Sequence, residues 1–555
     1  MSVYDKASLV LIPSGTKTSK VYSQKPVSGD GDFTFSRSTA ATRVNADGNI
    51  EKEIQNNVLQ SNTFSSGTWL KQVSGGTTPV VTSGFTDPDG GSNAWRLQCS
   101  ISGGLYSMIS QGLSTTGLNC NSIWIKSNTG SNQDVYFRIN NADQSTTRTA
   151  TTEWQRIEVF TTATGQSFTL GVRSAATGAT SSCDVLIYAA QNNQGLVAQD
   201  YIETTTAAVE GGITDNVPRL DYTDSSCPTL LLEPQRSNNV VHSEYHQGTI
   251  AAVTRTYNTA DTLSPEGYYN AVKYEVNANN SDPYLRVFNI PTSGNDATFS
   301  LYVKGASGQL FSMILGRDGY DELEYEAFTL DGTWQRLTLS KTFTTTPTTL
   351  TIGAEFSHSS NDGVLGQEYY LYGIQCEAAS YATSYIPTYG TSVTRNQDAS
   401  LVTSVSSLIG QPNGSIFLDF VYDNNTSNTR IFSVTGGNWF TNGSIRLEKV
   451  SNLFRWNWLK EGVGGASLDS TTTMVKGTRY KMAITYTDSV CSLFINGAKE
   501  DTSACDTPTN LSGIYLNELG GGFSDGWEFQ RNIFNQVLMF NTTLTDQEAI
   551  DLTTI

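Results

Sequence analysis

The sequence predicts an all-β chain of tandem β-sandwiches, the first two of them jelly rolls. Three observations carry that expectation. Short runs alternate apolar and polar residues, as in Thr298–Gly305 and Trp334–Lys341, and end in clusters of Gly, Asn, Asp and Thr; these are period-2 strands closed by turns. No 12-residue stretch with helical periodicity competes with them, so antiparallel two-sheet sandwiches are the natural closure. A long internal repeat divides the chain into like units.

A length of 555 residues implies several domains. Apolar side chains at 37%, with 49 glycines, are enough for each domain to bury a core. Charged residues are only 15%, against about 25% in ordinary globular proteins. Ser, Thr, Asn and Gly therefore meet the solvent, as on extracellular all-β surfaces. The net charge of −18 argues against nucleic acid or an anionic membrane as partner. No apolar run reaches the length of a membrane-spanning helix, so no membrane insertion is expected. The opening residues have an apolar run only from Leu9 to Ile12 and no basic leader, so no secretory signal is expected. An extracellular-type surface without an export route points to release by lysis, as part of a virus particle made in the host cytoplasm.

Residues 1–55 carry Gly15, Gly29 and Gly31 among Ser, Thr and Lys, with too few apolar side chains for a core of their own. They are expected to order only against a partner or sister subunit. Residues 56–210 and 237–398 read as two copies of one module, joined by a connector at 211–236. Asn56-Asn57-Val58 recurs as Asn238-Asn239-Val240, Ser122–Lys126 as Ser300–Lys304, and Trp154–Ile157 as Trp334–Leu337, at offsets between 177 and 184 residues. Trp154 and Trp334 each open a strand after a turn and are read as core anchors. Residues 399–555 do not match the repeat. They hold their own strand series, including Ser415–Tyr422, Ser444–Val450 and Leu453–Lys460, and read as a third sandwich. Phe454, Trp456 and Trp458 alternate onto its inner face. Thr545 with Glu548 three residues on forms a capping box for a short closing helix.

The cysteines are seven, an odd number, with no Cys-x-x-Cys pair, and the histidines are only three. Neither a disulfide framework nor a zinc site is expected. Buried thiols are the reading, although Cys491 and Cys505 could bridge a hairpin. No metal and no cofactor is expected.

The run Tyr480 to Glu500, with Leu493-Phe494-Ile495-Asn496-Gly497 at its hairpin, resembles the paired strands of laminin-G-like, concanavalin A-like domains. The ending Asn535–Phe540 followed by Leu544-Thr545-Asp546-Gln547-Glu548 is similar to the last strand and tail of that family. The resemblance implies a concanavalin A-like sandwich at 399–555. A second resemblance covers much of residues 33–398 and is to structural proteins of tailed bacteriophages. It rests on Phe33-Thr34-Phe35-Ser36-Arg37 through Ala41–Asn45 and Gly48-Asn49-Ile50-Glu51, then on Asn216–Tyr222 and Cys227 to Arg236. Leu371 to Arg395 resembles the module ending of the same proteins. The first copy lies between Glu51 and Asn216, where such proteins have few residues, so it reads as a domain inserted into a connector. Its own ending, Asp200-Tyr201-Ile202-Glu203-Thr204, lacks the proline.

The resemblance implies a virion component, on the capsid surface, a head fibre or a tail fibre, with residues 1–55 as the virion-anchoring segment that meets other virion proteins. The modules would be displayed for host-surface glycans, with avidity from repetition in a homo-oligomer. Stacking on sugar faces needs exposed aromatic planes, for which the chain has 26 Tyr and 9 Trp. Tyr320 and Tyr325, in a polar strand pair of the second copy, and Trp439, in a Gly/Asn loop of the third sandwich, are the glycan-binding candidates.

No catalytic residue is expected. A glycoside hydrolase places two carboxyl groups roughly 5–10 Å apart. Glu322, Glu324 and Glu326 would lie about 6.6–6.8 Å from neighbour to neighbour on one strand face, a spacing that any alternating strand supplies. No nucleophile elbow, zincin helix or phosphate loop is present. The alternatives to adhesion are a virion polysaccharide depolymerase and a purely architectural spacer.

Overall fold

The computed structural model describes residues 2–140, 147–357, 362–423, 429–437, 442–461, 465–517 and 531–555. The chain is all-β apart from short helical turns such as Asp546–Thr553, and its strands form stacked antiparallel sheets. No helix among the described residues is long and apolar enough to cross a membrane.

The two copies share one strand order. In the second copy, one sheet runs Val253–Thr256, Val272–Val276, Glu368–Glu377, Asp296–Gly305, Gln335–Thr342. The facing sheet runs Thr249–Ala251, Tyr284–Pro291, Thr349–Glu355, Leu310–Arg317, Asp321–Thr329. The first copy repeats both orders with fewer, longer strands. Ala94–Gly112 pairs through Trp95–Ser100 with Ser182–Gln194, and through Tyr106–Gly112 with Gln166–Arg173. It thereby crosses from one layer to the other, doing the work of two strands of the second copy.

Buried polar groups are duplicated as well. Asn56 Nδ2 donates to the carbonyls of Ala190 at 3.0 Å and Ile202 at 2.8 Å, and its Oδ1 accepts from Val58 N and Asn192 N. Asn238 donates to Ile374 O at 3.1 Å and Ile386 O at 2.9 Å, and accepts from Val240 N and Cys376 N. The Ser61–Tyr201 hydroxyl pair recurs as Ser243–Tyr385, each at 2.7 Å. Trp154 and Trp334 are half-buried and not core anchors. Trp334 Nε1 donates to Leu263 O at 2.8 Å, and its ring packs against the small cluster of Ile50, Tyr372 and Tyr385. The core is filled instead by Leu301, Phe311, Met313 and Ile352 in the second copy.

The third sandwich is not made from residues 399–555 alone. Leu9–Leu11 pairs with the Met539–Val537 stretch of the last strand, and Leu230–Leu232 pairs with Phe534–Asn532 of the same strand. In the other sheet, Phe33–Ser36 pairs with Ala399–Thr403. Leu9, Leu11, Val21, Phe33, Phe35, Leu230 and Leu232 share one core with Ile416, Leu418, Phe420, Trp456 and Trp458. The expectation that residues 1–55 order only against a partner is therefore corrected. Their few apolar side chains find a core in their own chain, where each three- or four-residue strand adds one or two side chains to an existing layer. Residues 211–236 are likewise part of that sandwich and not a bare connector.

Both copies leave this scaffold through two-stranded ladders. Glu53–Asn56 pairs with Val209–Gly212 around the first, and Arg236–Asn238 with Val393–Arg395 around the second. Closely spaced ends are what a scaffold needs to carry an inserted domain. Where the ladders meet the scaffold, five charged groups are buried together, with the half-buried Arg531 beside them. Arg37 pairs with Asp398 at 3.0 Å, Arg395 with Glu233 at 2.6 Å and Arg531 with Glu233 at 3.2 Å. Arg219 binds both Glu233 and Asp398. A second buried cluster ties the second copy to the scaffold segment: Lys52 Nζ lies 2.8 Å from Glu244 and 2.9 Å from Glu266. The first copy's Gln199 also reaches Glu266.

All seven cysteines are free thiols, Cys227 alone being exposed.

Candidate functional site

On the sheet of the second copy that turns away from its partner layer, strand alternation divides each strand cleanly. Phe311, Met313 and Leu315 point into the core, as do Leu350, Ile352 and Ala354 on the adjacent strand. Ser312, Ile314, Gly316, Thr351, Gly353 and Glu355 consequently face outward. Leu285 is a core residue too, so Tyr284 and Arg286 flank it on the outer face. The register breaks between Val287 and Ile290, and this bulge leaves Phe288 on the outside. Gly353 keeps the centre of the face low, because a Cβ there would meet Ile314 Cγ1 at 2.5 Å.

Tyr320 lies in the turn between Leu310–Arg317 and Asp321–Thr329, and Tyr325 stands across from Ile314. The rings are open to solvent, Tyr320 at 48%, Tyr325 at 43% and Phe288 at 38% exposure. Such a cluster of part-exposed rings differs from the scattered single apolar residues of an ordinary surface.

Polar groups fix the rings in place. Arg286 donates to Glu355 through Nε at 2.7 Å and Nη2 at 3.0 Å, a bidentate pair. Its guanidinium lies 3.8 Å from the centroid of the Tyr284 ring, and Nη1 donates to Tyr320 Oη at 3.2 Å. Burial opposes the Arg286 charge, and Glu355 more than reverses that, so the guanidinium is held protonated. Phe288 meets Tyr320 edge to face at 5.9 Å. Tyr325 Oη shares a hydrogen bond of 2.7 Å with Ser312 Oγ, which in turn donates to Ser357 O.

The structure thus places Tyr320 and Tyr325 on one face, while Trp439 lies outside the described residues. Tyr284, Arg286 and Phe288 were not among the sequence candidates. The alternation of large side chains through Tyr284, Arg286 and Phe288 is the signal that could have found them.

The acidic run serves a different purpose. Glu324 and Glu326 stand across from Leu315 and Met313, at the inner edge of the sheet. Glu324 is bound by Lys341 at 2.9 Å, and Glu322 by Arg317 at 3.0 Å and by the backbone N–H of Thr344 at 2.8 Å. The Thr344 N–H, with Arg317, holds the Glu322 carboxyl below its ordinary range, the reverse of what a general acid needs. Among the described residues no group of three His, Cys, Asp or Glu is arranged to hold a metal.

The first copy has the same face with other chemistry. Tyr106 pairs with Arg173 where Tyr284 pairs with Glu355. Tyr136 is 1% exposed, with the guanidiniums of Arg138 and Arg173 each 5.7 Å from its ring centroid. Its central ring is covered rather than presented.

No known family's sequence profile matches the chain, and no curated protein matches it. Among solved structures, the CBM40 of the Ruminococcus gnavus IT-sialidase bound to alpha2,3 sialyllactose is 15% identical with a TM-score of 0.23, covering 26% of this chain and 83% of that one. The heptameric SAP-like pentraxin of Limulus polyphemus is 9% identical, TM-score 0.21, covering 26% and 70%. The botulinum neurotoxin serotype D binding domain is 15% identical, TM-score 0.23, covering 28% and 39%. Likenesses of this size assign neither a residue nor a ligand to the present chain.

Proposed function

We propose that the chain is a structural component of a bacteriophage particle, and that its second sandwich presents a saccharide-binding face to host surfaces, without cleaving what it binds. The observation that carries the glycan reading is the outer face of that sandwich, where Tyr284, Phe288, Tyr320 and Tyr325 surround the Arg286–Glu355 pair. Flat rings held by hydrogen bonds offer sugar faces an apolar plane that costs little ordering entropy on binding. The paired guanidinium and carboxylate, with the Tyr320 and Tyr325 hydroxyls, supply directed donors and acceptors for sugar hydroxyls. Weak sites of this kind gain from repetition on a particle.

The virion reading is supported by where the phage-like segments lead. Arg37, Arg219, Glu233 and Arg395, one or more from each segment, all enter the buried charge cluster. Those segments therefore describe a scaffold that carries inserted modules. Attachment to other virion proteins becomes a property of the folded scaffold sandwich, with residues 1–36 built into it, and not of a free tail.

The test is binding of the full chain to purified host capsule and lipopolysaccharide, with Tyr320→Ala/Tyr325→Ala as the variant. Binding should fall by about tenfold or more with the melting temperature unchanged and with no oligosaccharide released. Absence of wild-type binding to every host polysaccharide overturns the glycan reading. Absence of the protein from purified particles overturns the virion reading.

A further inference from the structure

We infer that the junction between the two copies and the scaffold segment holds a second ligand site, a cleft for a neutral saccharide of one or two rings. The cleft is distinct from the outer face and has a cavity volume of about 410 Å³. Roughly a dozen water-sized groups would fill it.

Three parts of the chain form its walls. Glu53 and Gln55 come from the ladder around the first copy, Thr164 and Gln199 from the first copy itself, and His242, Tyr385 and Tyr389 from the second. The walls are fixed relative to one another. The Leu118 N–H donates to Tyr389 O at 2.6 Å, and a Cβ on Gly117, whose φ is +76°, would lie 1.8 Å from that same oxygen. Leu118, Leu196 and Val197 of the first copy pack into the second copy's core. Domain junctions held in this way are frequent ligand sites.

One observation marks the cleft as built for a polar occupant. His242, whose side chain lines it, is 8% exposed and its Nδ1 has no hydrogen-bond partner. Buried polar atoms are seldom left unpaired.

The charge balance then selects the ligand class. Burial depresses the His242 pKa, leaving the imidazole neutral, with one donor and one acceptor nitrogen. The Arg395 charge is already taken by Glu233. Burial, with Glu210 and Asp215 nearby, pushes Glu53 up to about 7, so much of its charge is absent near neutrality. An anion would find no free cation among the lining residues and would meet whatever charge Glu53 retains. A hydrocarbon would strand the Gln55 amide and the unpaired His242 nitrogen. Amides, a hydroxyl and a neutral imidazole beside tyrosine rings instead match a ligand whose hydroxyls both donate and accept.

Calorimetry and saturation-transfer NMR on the full chain, with D-glucose, D-galactose and N,N′-diacetylchitobiose as probes, test the site. Thr164 of the first copy and Thr391 of the second line the cleft and are exposed, so Thr164→Trp and Thr391→Trp crowd it from each copy without entering a core. At least one probe should bind, each Trp variant should weaken it about tenfold or more, and Tyr320→Ala/Tyr325→Ala should leave it unchanged. Failure of all three probes to bind, or binding undiminished in both Trp variants, overturns the cleft. Loss only in the Tyr320/Tyr325 variant overturns it as well and assigns the sugar to the outer face.

Discussion

Arg395 Nη1 donates to Glu233 Oε2 at 2.6 Å, with neither side chain reaching solvent. Arg395 ends the ladder that carries the second copy and Glu233 lies three residues before its start, and Glu233 also accepts from Arg219 and pairs with Arg531, next to the last strand. One carboxylate thus ties the inserted copy to the scaffold. Burial alone would raise its pKa, and the guanidiniums of Arg395, Arg219 and Arg531 more than reverse this, holding it well below the usual carboxylate range.

Glu233→Gln should therefore destabilise the chain by about 3–5 kcal/mol, because it leaves buried guanidiniums without their counter-charge. Glu324→Gln, at an exposed pair, should cost no more than about 1 kcal/mol. Since the folded pKa of Glu233 is depressed, its contribution is present above the ordinary carboxylate pKa and is lost as pH falls through and below it. Urea unfolding at pH 7 and at pH 4 measures both effects. Equal stability of the two variants at pH 7 would contradict the assignment.

Asn238→Asp keeps the shape of the clamp and removes its donor. Each clamp asparagine donates to one carbonyl of the module's last long strand and to one of the segment that follows it. A carboxylate there meets two carbonyl oxygens, so a loss of about 2–4 kcal/mol is expected. Asn56→Asp should cost the same in the first copy, and the two should add, being separate sites. Thermal unfolding of the single and double variants checks this.

These asparagines show what was legible in the sequence. Asn56-Asn57-Val58 and Asn238-Asn239-Val240 revealed the duplication, and alternation revealed the strands, because local spacing determines both. The clamp role was not readable, since its partners lie more than 130 residues away. For the same reason Leu9–Leu11 and Phe33–Ser36 went unrecognised as scaffold strands. Three or four residues carry too little alternation to register, and their stabilising partners are supplied by the far end of the chain. Tyr320 and Tyr325 could be found as tyrosines in a polar hairpin. The Arg286–Glu355 pair could not, because its carboxylate lies 69 residues further along the chain.

A chain beginning at residue 56 should lose the third sandwich while keeping at least the second copy folded. Leu9, Leu11, Val21, Phe33 and Phe35 are all fully buried in the scaffold core. Removing them opens voids, each at a cost of about 2–5 kcal/mol for a large side chain, and leaves the last strand with an unpaired edge. Limited proteolysis should cut within 399–555 in the truncated chain and not in the full one. A protease-resistant 399–555 in the truncated chain would show that the first 36 residues merely decorate the sandwich.

Glu53 gives the scaffold junction a pH dependence of opposite sign to that of Glu233. Its pKa is raised to about 7 by burial, then by the like charges of Glu210 and Asp215, from an ordinary value of 4.5. The folded state therefore binds the extra proton between those two values. The associated stability is complete below the ordinary carboxylate pKa and is lost as pH rises through about 7. Glu53→Gln mimics the protonated form at every pH. It should match the wild type at pH 5 and melt higher at pH 8, by the equivalent of on the order of 1 kcal/mol once solvent screening of a part-exposed group is allowed for. Paired melting curves at the two pH values decide the matter. A variant no more stable than wild type at pH 8 would mean that Glu53 is already solvated where it lines the cleft.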